Sequence, residues 1–119
     1  MKIEQIIEIL NGELLAGDEF IKEDIKMACG CDLMSDVLSY IKADRTILLT
    51  GLTVPQVIYT SDTADIKTIC FVRGKRPGPD LIKLAKEREM ILICANLPMF
   101  EACGRLYESG LRGCSEYER

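Results

Sequence analysis

The stretch Thr46-Ile47-Leu48-Leu49-Thr50-Gly51-Leu52-Thr53-Val54-Pro55 decides the fold class. Its first five residues are β-branched or apolar without alternation, the pattern of a strand buried on both faces of a sheet. Gly51 ends the run. Thr53 then offers an N-cap with Gln56 three positions on, a capping box, and Pro55 fits a first helical turn, where its missing N–H costs nothing. A buried strand therefore passes through a glycine turn into a helix.

The same unit recurs to either side. Apolar runs at 25–29, 68–72 and 90–95 join Thr46–Thr50 at intervals of about 20 residues, the spacing of parallel strands joined by crossover helices. Between them, 32–41 sets Leu33, Val37, Leu38 and Ile41 on one face with Asp32 as N-cap. Gly78-Pro79-Asp80 opens a helix with Leu81, Leu84 and Ala85 inward, and 98–109 carries Met99, Cys103 and Leu106 before Gly110 at its C-terminal cap. Ahead of these units, Ile3, Ile6, Ile7 and Leu10 predict an amphipathic helix over 2–10. Asn11-Gly12 ends it, and 13–16 is a short strand that, like 25–29, can run antiparallel. The expected fold class is α/β: a three-layer α/β/α arrangement with a mostly parallel sheet of four to five strands. The expected organisation is one domain over 1–119, with the helix 2–10, a core over about 13–111 and a short tail at 112–119.

Composition narrows the function classes. The chain has 119 residues, 48% hydrophobic and 29% charged, as in a globular domain, and its net charge of −4 argues against a nucleic-acid or membrane partner. The absence of His removes Ser-His-Asp and Cys-His nucleophile pairs and imidazole metal sites. The longest apolar run, 90–95, is far shorter than the ~18–20 residues that span a bilayer. The N-terminus is interrupted by Glu4 and Glu8, unlike a secretory signal. The expected localisation is cytoplasmic, with reduced thiols. Of the six Cys, Cys70, Cys94 and Cys103 read as small buried hydrophobes. Cys29-Gly30-Cys31 sits at a strand-to-helix turn, where thiols can become reactive. That pair defines an alternative function, a thiol redox or metal-cluster accessory with an iron–sulfur cluster or zinc completed by a second chain.

In an open parallel sheet, ligands favour the crevice beyond the carboxyl ends of the strands. Four segments converge there: 28–32, 50–53, 73–77 and Ala95-Asn96. The candidate ligand-binding residues are Gly51, Thr53, Arg73, Gly74, Lys75, Arg76 and Asn96. Glycine permits close backbone approach and guanidinium groups suit oxyanions, so the ligand class is a phosphate, nucleotide or carboxylate. The competing expectation is that the basic 73–88 segment pairs with the acidic segment 1–24 of another copy. No phosphate-binding loop, G-x-G-x-x-G or G-x-S-x-G occurs. Asp62 and Asp65 read as caps at the end of the helix begun at Thr53, and Asp44-Arg45 as an exposed turn. An enzyme using Arg73 and Lys75 as clamps would lack a base and a nucleophile other than the thiols, so no catalytic residue is assigned.

The order of these segments resembles the DRTGG domain, which is also similar to the N-terminal domain of HPr kinase/phosphorylase. The likeness rests on 47–53, 70–74, 79–85, 90–94 and 99–103. The family's Gly-Asp-Arg is replaced by Gly51-Leu52-Thr53 and its Thr-Gly-Gly by Val72-Arg73-Gly74, so only Gly51 and Gly74 carry over. The resemblance implies a regulatory or accessory module, not a catalyst. It also implies self-association as a homodimer or docking on a partner enzyme. Kinase activity does not transfer, because the phosphate-binding loop of the kinase belongs to a different domain.

Overall fold

The computed structural model describes residues 1–40 and 45–114. Six strands form one sheet: β1 (Glu13–Ala16), β2 (Met27–Gly30), β3 (Thr46–Thr50), β4 (Thr68–Phe71), β5 (Ile91–Cys94) and β6 (Arg112–Gly113). Their spatial order is β1-β5-β4-β3-β2-β6. β2 to β5 and β6 are parallel, and β1 runs antiparallel to β5 with an irregularity between Leu14 and Ala16. Every residue of β3, β4 and β5 is buried, which is why these three read as unbroken apolar runs.

Five helices cover the two faces. α2 (Met34–Tyr40), α3 (Pro55–Thr63) and α4 (Pro79–Glu87) make the three successive crossovers. All three lie on one side of the sheet, around Val37, Leu48, Val57, Ile58, Ile69, Phe71, Leu81, Ala85 and Leu92. α1 (Ile3–Leu10) and α5 (Met99–Glu108) cover the other side, around Ile3, Ile6, Leu10, Ile47, Leu49, Cys70, Ile93, Ala102 and Leu106. α5 returns the chain across that face to deliver β6 beside β2. The result is a three-layer α/β/α domain with a mostly parallel sheet.

Several local expectations change. The sheet has six strands rather than four to five, because Arg112–Gly113 pairs with Met27 and Ala28 in what the sequence presents as a tail. Residues 115–119 of that tail lie outside the described residues, as do Ile41 and Asp44. The N-cap of α3 is Val54, not Thr53, and Pro55 occupies the first turn. α2 starts two residues beyond Asp32, so Met34 and Val37 turn inward while Leu33 and Leu38 are 58% and 54% exposed. Asp62 and Asp65 do stand at the end of α3, where the Asp65 amide donates to Asp62 O at 3.0 Å, but the Asp62 carboxylate pairs with Lys67 at 3.0 Å and Arg88 at 2.6 Å. Gly110 follows the C-cap of α5 with φ +111°, a conformation glycine adopts without penalty. Gly17 has φ +92°, and a Cβ there would come within 2.9 Å of the Ile91 backbone. Among the described residues no helix is long and apolar enough to cross a membrane.

Candidate functional site

The parallel strands β2 to β5 end at one rim, and the loops that leave them meet there through backbone hydrogen bonds. The Val72 amide donates to Thr50 O at 2.9 Å, and the Ala95 amide to Phe71 O at 2.9 Å. Beyond β4 the chain turns sharply: Arg73 and Gly74 both have positive φ, +61° and +69°. Glycine takes such a conformation freely, whereas Arg73 adopts it at a cost. The turn is held by its amides, with Arg73 N–H on Leu97 O at 2.8 Å, Gly74 N–H on Ala95 O at 2.9 Å and Lys75 N–H on Val72 O at 3.1 Å. These backbone donors are therefore used within the fold, and any anion at the turn must be met by side chains.

The guanidinium of Arg73 lies against Gly51: a Cβ on Gly51 would sit 2.9 Å from its Cζ. A side chain at position 51 would displace that guanidinium. Asn96 adjoins the same turn, with its Oδ1 3.1 Å from the Cβ position of Gly74. The fold thus brings Gly51, Arg73, Gly74 and Asn96 together, as the topology of an open sheet dictates. Lys75 is exposed in the same loop, and Thr53 is half-buried just beyond Gly51. Arg76, in the same loop, is already engaged. It forms a bidentate pair with Glu13 of β1, at 2.7 and 3.0 Å. The acidic first segment and the basic loop do pair, as one expectation had it, but within a single chain.

Asp32 is the residue that sequence reading misassigned. Its Oδ1 accepts the Thr50 hydroxyl at 2.8 Å and the Gly51 amide at 2.7 Å. These bonds, chiefly the one from Gly51, hold the carboxyl below its ordinary pKa against a burial penalty, and the Arg73 charge adds to them. The available signal was an acid after β2 and a hydroxyl at the end of β3, two tips that a parallel pairing places side by side.

The surroundings of Cys29 differ from those of a reactive thiol. Cys29 is pushed well up from its ordinary pKa by a hydrogen bond with Cys114, by burial and by neighbouring thiols. Burial pushes Cys70 up to about 12 and also raises Cys103. Such surroundings favour the neutral thiol, the opposite of what thiolate chemistry needs. Among the described residues no three His, Cys, Asp or Glu side chains stand where they could hold a metal ion. A separate groove of about 370 Å³ lies between α5 and β6, lined by Gly30, Cys103, Gly104, Tyr107 and Phe100. Phe100 there is 87% exposed.

No protein-family model matches the chain, and no curated protein matches it. Among solved structures it is similar to the CBS and DRTGG domains of the regulatory region of Clostridium perfringens pyrophosphatase, complexed with the activator diadenosine tetraphosphate. The TM-score is 0.70 at 16% identity. The match covers 91% of this chain and 46% of that one, so the chain spans about half the length of this neighbour. The likeness shows a DRTGG-like fold.

Proposed function

We propose that this chain is a non-catalytic, cytoplasmic regulatory or accessory module of the DRTGG and HPr kinase N-terminal type. In this reading it binds a small anionic ligand at the strand rim and self-associates or docks on a partner enzyme. The observation that carries the reading is the state of Arg73. Among the described residues its guanidinium donates no hydrogen bond and forms no ion pair, although an unfavourable backbone conformation holds it against Gly51. An exposed arginine with no hydrogen bond or ion pair among the described residues has its planar fork of donors free for an oxyanion. Lys75 supplies a second positive charge in the same loop. The neighbour's complex with a nucleotide activator supports a ligand of this class. The hydroxyl of Thr50 does donate to the Asp32 carboxylate at 2.8 Å, but Thr50 is fully buried and not presented to a substrate, which favours sensing over catalysis. The exposed Phe100 beside the α5 groove is the surface best suited to a protein contact.

Thermal melting of the full chain with adenosine 5′-monophosphate (AMP) and with inorganic phosphate tests the ligand reading. At least one should raise the melting temperature, and Arg73→Ala should remove the rise without lowering the temperature of the unliganded protein. Flat melting curves in both ligands would defeat it. Native mass spectrometry tests the association: a single-subunit species with no partner would restrict the proposal to ligand binding.

A further inference from the structure

We infer that the rim selects a ribonucleoside phosphate, with Asp32 accepting hydrogen bonds from the ribose hydroxyls and Arg73 donating to the phosphate. This rests on the anion-binding reading above and deepens it. The Gly51 amide, the donor a phosphate would seek at the tip of β3, already bonds to the Asp32 carboxylate at 2.7 Å. A bare anion arriving there meets a negative charge. The same carboxylate has an unfinished side: Oδ1 holds both bonds, and among the described residues nothing donates to Oδ2.

Arg73 acts on Asp32 through its charge yet makes no ion pair with it among the described residues. Both groups adjoin Gly51, one through its amide and the other across its Cα. An anchored acceptor and an uncommitted donor fork therefore flank one glycine without satisfying each other. A ligand that fits must carry hydroxyl donors for the first and an oxyanion for the second, and a nucleotide carries both. Charge separates it from a zwitterionic amino acid. Arg73 and Lys75 against Asp32 leave net positive charge, which suits a phosphomonoester better than a ligand of zero net charge.

Calorimetric titration of the full chain with AMP, 2′,3′-dideoxy-AMP, inorganic phosphate and serine tests the assignment. AMP should bind roughly 10- to 100-fold more tightly than the dideoxy compound, the effect of losing hydrogen bonds to a charged acceptor. Asp32→Asn keeps an oxygen for Thr50 and Gly51, and circular dichroism checks its fold. It should lose that discrimination and bind inorganic phosphate more tightly than the parent. Equal affinity for AMP and its dideoxy analogue overturns the ribose assignment and leaves the anion reading standing. Preference for serine overturns the nucleotide in favour of an amino acid. No heat with AMP and none with phosphate overturns both readings. The analogue pair on the unsubstituted protein decides the matter even should Asp32→Asn fail to fold.

Discussion

At the foot of the sheet, where the parallel strands begin, charges are matched inside the chain. The N-terminal ammonium meets Asp24 at 2.7 Å, and Asp62 joins Lys67 ahead of β4 to Arg88 ahead of β5. At the rim, Asp32 is anchored by a hydroxyl and an amide, and Arg73 and Lys75 pair with no carboxylate among the described residues. Arg76 marks the boundary: in the same loop as Arg73, it is neutralised by Glu13. Charges at the foot tie crossover helices and strands together, so removing them costs stability. Arg73 and Lys75 at the rim have no such use, so removing them should cost binding alone.

The sharpest separation comes from Gly17, close to the start of β5. Gly17→Ala places a Cβ against the Ile91 backbone at positive φ, and it should lower unfolding free energy by about 2 kcal/mol or more. Urea denaturation measures the loss, and AMP affinity should stay at the parent value. A cost under ~0.5 kcal/mol would mean the foot yields easily and the contrast with the rim is false.

Asp62→Asn comes next, with an expected loss of about 1 kcal/mol, because its two pairs are only partly shielded from solvent. Lys67, then Arg88, lowers the Asp62 pKa in the folded state. Its stabilisation is therefore complete above the unfolded value, near 4, and is lost as pH falls through the folded value. Acid unfolding of the parent should be steeper than that of the variant in this window. Parallel curves would show that the Asp62 pairs contribute nothing.

The smallest effect runs the other way. Arg73→Gly relieves a left-handed side-chain residue and should raise stability by about 0.5–1 kcal/mol while ligand binding disappears. A fall in stability would show that the guanidinium braces the fold, and the division between foot and rim would collapse.

How much of this was legible follows from the range over which each signal acts. β3, β4 and β5 announce themselves because double-sided burial leaves no charged position in the run, and Gly51, Arg73 and Gly74 follow from the tips of those strands. The face of α2 was misread because a seven-residue helix offers overlapping stripes, and Leu33 and Leu38 look as suitable as Met34 and Val37. Asp32 passed for a local cap because its partners, Thr50 and Gly51, belong to the next strand tip. β6 is two residues long and has no period to detect. Glu13 finds Arg76 only because β1 turns antiparallel along β5, setting Glu13 opposite Cys94 next to the basic loop.

The strand order has a kinetic side. β2, β3, β4 and β5 adjoin in the order in which they occur, so each pairing closes a short loop and can follow directly from the one before. Glu13 with Cys94 and Met27 with Arg112 instead join distant parts of the chain. The central four strands can therefore zip together as one nucleus, with the two margins docking afterwards. The same asymmetry makes the two-residue β6 margin the first to fray when the native protein breathes.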